Sequence, residues 1–219
     1  MLAKELISDD ISPLMTSDSG LSALRMMEEY KVRHLPVVNG ENLLGVVSED
    51  DIFNMEDPEG PIATLILNLH KPYIFDYQHI YDVFKEISEH RLSLIPVLNT
   101  SFVYLGVINI FNLLHAMSKF TAINQPGGII VLSVNAHDYS LAQIAQIIES
   151  NDAKVLSSYI YSRPESSMLE VSIKVNKIDL SAIIQTFERY NYTITTTIFE
   201  NESEDIDERY ESFMKYLNI

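Results

Sequence analysis

The fold is decided by residues 32–51, which read Val-Arg-His-Leu-Pro-Val-Val, then a short loop, then Leu-Gly-Val-Val-Ser-Glu-Asp-Asp. Residues 92–108 repeat this pattern as Leu-Ser-Leu-Ile-Pro-Val-Leu, a loop, and Leu-Gly-Val-Ile. The two prolines are 60 residues apart and the two glycines 61, so the second copy has one extra residue in its loop. A repeat of this kind predicts two copies of one supersecondary unit.

Each copy also contains two helical patterns. Apolar side chains spaced by three residues precede the repeated strands: Leu21, Leu24 and Met27 in the first copy, and Tyr81, Phe84 and Ile87 in the second. Asp18 or Ser19 can cap the first of these helices. Further helices are expected over residues 49–55 and 110–119. The strands are almost entirely apolar, as in strands buried on both faces, and each copy therefore reads strand, helix, strand, strand, helix.

This pattern resembles the cystathionine-β-synthase (CBS) domain, and the two copies together resemble the tandem arrangement called a Bateman module. The resemblance covers about residues 1–120. We therefore expect a CBS pair over residues 1–122, with the first repeat at about 1–60 and the second at 61–122. The resemblance implies a regulatory fold with two clefts, in which many family members bind ligands that contain adenosine.

In that family an adenosine cleft is marked by Gly, two apolar residues, Ser or Thr, two variable residues and Asp. Residues 45–51 fit at every position. The glycine would let the strand turn tightly. The resemblance implies that Asp51 accepts hydrogen bonds from the ribose hydroxyls. Ser48 has two open interpretations, as the N-cap of the following helix or as a contact to a phosphate.

The second copy departs from this motif. Asn109 stands at the hydroxyl position and Asn112 at the carboxylate position. An asparagine can cap a helix, but it lacks the bidentate anionic acceptor of an aspartate. The sequence therefore favours the first cleft as the ligand site.

Two other residues of the first copy are candidates for the cleft, and a third is not. Arg33 could reach a phosphate, although an exposed surface arginine is the commoner case. Thr16, in the segment 11–16, would line the same cleft if the family geometry holds, or would belong to an edge segment. We expect His34 to be structural, because the sequence pairs it with no second ligand at metal-site spacing.

Acidic residues crowd the sequence around the motif: Glu49, Asp50, Asp51, Glu56, Asp57 and Glu59. This crowding would oppose a triphosphate and favours AMP, adenosine or a cationic adenosyl compound such as S-adenosylmethionine. A divalent ion bridging carboxylates and phosphates, or an empty cleft, are alternatives.

The C-terminal part follows a different plan. Residues 123–128 include Pro-Gly-Gly and predict a linker. Residues 129–200 predict a βαββαβ order, the ferredoxin-like α+β arrangement, with Asp138 and Asp179 as helix caps. This part resembles an ACT domain, but lacks the glycine that amino-acid-binding ACT domains carry before the first helix. Residues 201–219 predict an acidic tail and a short terminal helix.

Composition restricts the function further. The chain has 219 residues, 47% of them hydrophobic, with a formal net charge of −16. This charge and the absence of a basic run argue against nucleic-acid binding. There is no cysteine, and the sequence has neither a signal-peptide core nor a span of about 18 apolar residues. We therefore expect a soluble, cytoplasmic protein without membrane or metal partners.

The sequence carries no catalytic motif, so an enzyme is not expected. A CBS pair followed by an ACT-like domain resembles the acetoin-utilisation regulatory proteins of bacteria. We expect a regulatory protein, a homodimer or larger homo-oligomer, that senses AMP, ADP, ATP or S-adenosylmethionine and signals to a target protein. The alternatives are a ligand-free dimerisation scaffold and an amino-acid sensor acting through the ACT-like domain.

Overall fold

The computed structural model describes residues 1–8, 10–164 and 166–198, and contacts divide the chain into two compact units. The first unit is Met1–Ala116 and the second Met117–Ile219. The division falls within the helix Ile110–Phe120, earlier than the linker expected at 123–128. The tail expected at 201–219 lies outside the described residues. Within the described ranges, no helix combines the length and apolar character needed to cross a bilayer.

The first unit contains two copies of the expected element order. The first copy comprises β1 (Leu14–Met15), α1 (Gly20–Tyr30), β2 (His34–Asn39), β3 (Asn42–Ser48) and α2 (Glu49–Phe53). The second comprises β4 (Ile74–Phe75), α3 (Ile80–His90), β5 (Leu94–Leu98), β6 (Tyr104–Asn109) and α4 (Ile110–Phe120). In each three-stranded sheet the short first strand pairs parallel to the second, and the second pairs antiparallel to the third. The prediction of strand, helix, strand, strand, helix is confirmed in both copies.

The predicted apolar faces of α1 and α3 are displaced by one position. Both helices bury their first, fourth and eighth residues: Gly20, Ala23 and Met27 in α1, and Ile80, Val83 and Ile87 in α3. Tyr81, assigned to the buried face from sequence, is 68% exposed. In α1 the small residues Gly20 and Ala23 let the helix approach its neighbours closely, whereas in α3 the branched side chains of Ile80 and Val83 take the buried positions. Ser19 is the cap of α1, its Oγ accepting from the Ser22 amide at 3.2 Å.

The chain segment that leads into each repeat packs against the other repeat. A Cβ atom on Gly45 would lie 2.6 Å from Leu69 Cβ and 3.0 Å from the His70 carbonyl oxygen. The Val46 amide donates to that carbonyl at 2.9 Å. In the second repeat a Cβ on Gly106 would lie 2.7 Å from Ile7 Cγ2. Gly45 is thus needed for close approach of another chain segment, and the expected tight turn is wrong, since the residue lies within β3.

A histidine also joins the two repeats. His34 Nδ1 accepts from the Ser93 amide at 3.2 Å and lies 3.1 Å from Ser93 Oγ. Because Nδ1 is an acceptor, the neutral ring carries its proton on Nε2. Burial and the neighbouring Arg33 guanidinium lower the pKa of His34, opposed by the carboxylates of α2. His34 thus has a structural role.

The second unit is a four-stranded antiparallel sheet with two helices. Its elements are β7 (Gly128–Asn135), α5 (Leu141–Glu149), β8 (Val155–Ser162), β9 (Met168–Val175), α6 (Ser181–Arg189) and β10 (Thr193–Ile198). The strand order is β10-β7-β9-β8. The buried side chains of one sheet face pack with Ile144, Ile148 and Phe187 of the helices. The predicted ferredoxin-like arrangement is confirmed.

The two helix caps predicted for this unit differ from those in the structure. α5 is capped by Ser140, whose Oγ accepts from the Gln143 amide at 3.3 Å, so the assignment to Asp138 is wrong. Asp138 instead belongs to the turn before the helix, where its amide donates to the Asn135 carbonyl. The N-cap residue of α6 is Leu180. Asp179 still accepts from the Ser181 amide at 3.0 Å, a bond that lowers the pKa of Asp179.

We predict that Gly45→Ala lowers the free energy of unfolding by about 1–3 kcal/mol, because the added methyl group overlaps the backbone-anchored Leu69 Cβ. Urea unfolding measures this effect. Gly40→Asn is the control, since Gly40 has a φ of +61°, which asparagine tolerates, and its Cβ position is open. A Gly45→Ala variant as stable as the control would contradict the close approach.

We also predict that His34 makes the first unit less stable in acid. Because the folded-state pKa lies below the ordinary value of 6.5, the unfolded chain binds the proton first, and stability falls as the pH drops below about 6.5. Urea unfolding between pH 8 and pH 5.5 should show a smaller loss in His34→Gln than in the unchanged protein. His137→Gln, an exposed histidine in the second unit, is the control. Equal losses in all three proteins would overturn this role.

Candidate functional site

Asp51 and Ser48 form a reciprocal capping box at the start of α2. The Asp51 amide donates to Ser48 Oγ at 3.1 Å, and the Ser48 amide donates to Asp51 Oδ2 at 2.8 Å. The Ser48 hydroxyl also donates to Oδ2, at 2.6 Å. Among the described residues, no donor lies within hydrogen-bond distance of the other carboxylate oxygen, Oδ1. The N-cap interpretation of Ser48 is therefore correct, and the cap fixes the Asp51 carboxylate in one orientation.

This carboxylate lines a cleft of about 890 Å³ between the two repeats. The first repeat contributes His34, Ser48 and Asp51. The second contributes side chains of its lead-in segment between His70 and Gln78, together with Glu86 and His90 of α3. Asp51 is half-buried there. The site thus requires both copies, each supplying a different part.

An aromatic cluster forms part of the wall opposite the capping box. Phe75 stacks on Tyr77 with ring centroids 5.4 Å apart and nearly parallel planes. Tyr73 and Phe102 meet Phe75 edge to face, at 5.3 and 5.5 Å. Tyr73 and Tyr77 remain 36% and 55% exposed and line the cleft. This wall was not expected from the sequence, although three aromatic residues at alternate positions of one short segment could have indicated it.

The structure does not bring Thr16 to this cleft. The Thr16 carbonyl accepts from the Ala63 amide at 3.0 Å, and the residue is not part of the cleft wall. Of the two expectations for residues 11–16, the structure fits the edge segment, since Leu14–Met15 forms the edge strand β1. The equivalent segment of the second repeat, which includes Tyr73 and Phe75, lines the cleft instead. The cleft has this composition because the segment that leads into each repeat packs against the other repeat.

Arg33 lies in an adjoining depression of about 520 Å³. Its Nε donates to Glu49 Oε2 at 2.9 Å, and its side chain is 71% exposed. The depression shares Ser48 and His34 with the Asp51 cleft. Arg33 is therefore near the cleft but engaged by a carboxylate.

Asn109 and Asn112 sit apart from Asp51, at the start of α4. Asn109 Oδ1 accepts from the Asn112 amide at 2.8 Å, which is a helix-capping bond. Asn112 Nδ2 lies 3.5 Å from the Leu6 carbonyl oxygen. The second copy thus repeats the capping bond from an amide to the N-cap side chain, but its described contacts do not include the reciprocal bond that Asp51 makes in the first copy.

Three of the six acidic residues expected beside the cleft, Glu56, Asp57 and Glu59, line neither it nor the adjoining depression. Only Asp51 lines the cleft, while Glu49 and Asp50 line the adjoining depression. The helix α2 carries successive side chains in different directions, so adjacent carboxylates do not share one wall. The remaining charged groups of the cleft wall are Glu86, Lys71 and the ionisable histidines. In the part of the chain that the structure describes, no three histidine or carboxylate side chains converge as a metal site.

Comparisons with known proteins agree with this architecture. The family model of the CBS domain matches residues 3–56, which is the first repeat. A protein of Thermofilum pendens, described as an uncharacterized 33.4 kDa protein in ribosomal RNA operon, is 34% identical over 62 residues. The matched stretch covers 28% of this chain and 21% of the relative, about a fifth of its length.

Solved structures resemble about half of the chain. A CBS domain pair/ACT domain protein from Thermotoga maritima has a TM-score of 0.49 and 18% identity, covering 54% of this chain and 98% of that one. CBSX2 in complex with AMP has a TM-score of 0.47 and 20% identity, covering 54% and 96%. The CBS domain model thus matches the first repeat, and the second repeat has the same order of strands and helices and the same strand pairing.

Proposed function

We propose that this chain is a cytoplasmic regulatory protein that binds an adenosine-containing ligand, AMP, ADP, ATP or S-adenosylmethionine, in the Asp51 cleft. The observation that carries this proposal is the Asp51 carboxylate, which is held through Oδ2 by Ser48 while Oδ1 is left for a ligand. Binding would change the packing of the two repeats and so signal to a target protein. No residue is assigned a catalytic role.

The fixed carboxylate is suited to a sugar diol. A carboxylate oxygen has two acceptor positions, so Oδ1 can accept from both ribose hydroxyls or from one of them. Because the capping box already orders the side chain, little conformational entropy is lost on binding. Ser48 is a positioning residue in this proposal, since its hydroxyl is already engaged with Asp51.

The size and chemistry of the cleft support an adenine base as well. A volume of about 890 Å³ lies within the range of small-molecule sites, roughly 300–1,000 Å³. Tyr73 and Tyr77 offer exposed ring faces. Stacking of a base on an aromatic side chain contributes about 1–3 kcal/mol.

The other residues considered from sequence take lesser places in the proposal. Arg33 would reach a phosphate only by exchanging its ion pair with Glu49. Asn109 and Asn112 would give the second cleft a weaker sugar contact than Asp51 gives the first. Thr16 is not included.

The second unit would transmit the signal or join copies of the chain. Its ferredoxin-like fold supports the ACT-like assignment, and a CBS pair followed by such a unit fits a regulator of the acetoin-utilisation type. A depression of about 340 Å³ in this unit is lined by Asn135, Asp138 and Gln143. An acidic side chain at that place does not favour an amino-acid carboxylate, so amino-acid sensing remains the second candidate.

We predict that Asp51→Asn weakens binding of the preferred adenosine ligand at least tenfold, since a hydrogen bond to a charged group contributes about 1.5–3 kcal/mol. Calorimetric titration with AMP, ADP, ATP and S-adenosylmethionine measures the effect. Asp50→Asn is a matched control, because it removes the same charge from an exposed neighbour outside the cleft wall. Equal affinities in the two variants, or no binding of any of the four by the unchanged protein, would reject the proposal.

We also propose a homodimer that uses α4, and predict that Phe111→Glu combined with Leu114→Glu produces a monomer. These side chains are 60% and 63% exposed, lie one turn apart, and together form an apolar patch. Light scattering measures the mass, and circular dichroism checks that the fold is retained. Leu67→Glu is the control, being 96% exposed elsewhere in the unit. An unchanged protein that is monomeric, or a double variant that stays dimeric, would contradict this. A dimer that binds none of the four ligands would favour the scaffold alternative.

A further inference from the structure

The loop between β5 and β6 has an unfavourable backbone conformation that its counterpart in the first repeat avoids. In the first repeat, Gly40 and Glu41 join β2 to β3, and Gly40 has a φ of +61°. The second repeat uses the longer stretch 99–103, and there Phe102 has the same φ of +61°. Glycine adopts this left-handed conformation freely, whereas the Cβ atom of a phenylalanine comes too close to a carbonyl oxygen. Hairpin loops of this length favour glycine at the left-handed position, so Phe102 departs from the usual turn chemistry.

Asn99 holds Phe102 in this conformation. The Asn99 Oδ1 atom accepts from the amides of Ser101 and Val103, at 2.9 and 3.0 Å. The Phe102 amide donates to the Asn99 carbonyl at 2.9 Å, and the Asn99 amide donates to the Val103 carbonyl at 3.0 Å. An unfavourable conformation persists only where its surroundings determine it fully, and these bonds to Asn99 supply that constraint.

The side chain of Phe102 contributes little to the core but makes two aromatic contacts. The residue is 57% exposed, so it buries little apolar area. Its ring meets Phe75 and Tyr73 edge to face, with centroids 5.5 and 6.2 Å apart. These two rings also meet each other, at 5.3 Å. The constrained loop therefore places a third ring in mutual contact with two others.

The two rings that Phe102 contacts both line the Asp51 cleft, whereas Phe102 itself does not. It can therefore act on the cleft only through its neighbours. Without Phe102, Tyr73 would keep one of its two ring contacts and would gain rotamer freedom. Tyr77 stacks on Phe75 at 5.4 Å, so its orientation depends on the same group of rings. A wall that is ordered in advance loses less conformational entropy when a ligand binds.

We propose that Phe102 is a positioning residue that orders the aromatic wall for a planar base, so that the cleft favours ligands with such a base over sugar phosphates that lack one. Asn99 fixes the loop, the loop presents the Phe102 ring, and that ring orients Tyr73 and Phe75. This inference rests on the proposed function, since one ligand must place its ribose at Asp51 and its base at the wall. It explains why the second repeat keeps a phenylalanine at a position that suits glycine.

The test compares AMP with ribose 5-phosphate, which has the same sugar and phosphate but no base. Stacking of a base on an aromatic side chain contributes about 5- to 150-fold in affinity. We expect Phe102→Gly to weaken AMP binding about fivefold or more and to change ribose 5-phosphate binding less than about twofold. Glycine accepts the left-handed conformation, so the fold should be retained, as far-ultraviolet circular dichroism checks. Phe102→Tyr restores a ring and should bind AMP like the unchanged protein, as should Thr100→Ala, an exposed neighbour in the same loop.

A second pair of variants tests the loop without removing the ring. Asn99→Ala deletes the acceptor of two amides and should weaken AMP binding without affecting ribose 5-phosphate. Asn99→Asp keeps an acceptor oxygen at that place and should bind AMP like the unchanged protein. Equal AMP affinities in these two variants would show that the loop does not orient the wall.

The outcomes separate this proposal from the one on which it rests. If Phe102→Gly weakens both ligands equally, or neither, the positioning role is wrong and the adenosine site stands. If the unchanged protein binds none of the four adenosine ligands, the proposed function is wrong. Near-ultraviolet circular dichroism then tests the order of the rings without a ligand, because a chain without tryptophan owes this signal to tyrosine and phenylalanine. A signal that decreases in Phe102→Gly but not in Thr100→Ala supports the positioning of the rings, and an unchanged signal overturns it.

Discussion

The architecture of the first unit depends on the missing side chain at Gly45. The absence of a Cβ lets residues 69–70 come against β3 and form the bond between the Val46 amide and the His70 carbonyl. That bond fixes the start of the second repeat beside the first. The aromatic and basic residues that follow, from His70 to Gln78, thereby join Ser48 and Asp51 in the wall of one cleft. A constraint on backbone packing thus determines the composition of the cleft wall.

The motif at the end of β3 combines stability with orientation. Ser48 and Asp51 satisfy donors at the start of α2, as a capping box does in many helices without a ligand. The same bonds leave Oδ1 of Asp51 available at the cleft and keep the carboxylate from rotating. The structural and functional interpretations of this motif are therefore not competing explanations, because the cap is what makes the carboxylate a well-oriented acceptor.

Much of the fold could be predicted from sequence because its signals are local. The element order of both repeats, the βαββαβ order of the second unit and the capping role of Ser48 each follow from a few neighbouring residues. The position of Thr16 could not be predicted in this way. The periodicity of a segment shows which of its faces is buried, but it does not show which repeat the segment packs against. Here the segment that leads into each repeat packs against the other repeat. The buried face of α1 was misplaced because the small residues Gly20 and Ala23 pack inward, and a count of large apolar residues does not detect this. In α3 the apolar spacing fits both Tyr81 and Ile80, and the structure buries Ile80.

The charge of the cleft could not be predicted from neighbouring residues either, because the charged residues that line it are far apart along the chain. The run of acids from Glu49 to Glu59 is compact in sequence, but of these residues only Asp51 reaches the cleft wall. The basic residues of the same wall lie 19 to 39 positions after Asp51 in the chain, at His70, Lys71 and His90. A chain with a net charge of −16 can therefore have a cleft whose acidic and basic side chains are mixed. Coulomb interactions are strongest over a few ångströms and are screened beyond about 8–10 Å in physiological salt, so these local residues, and not the net charge, determine the potential in the cleft.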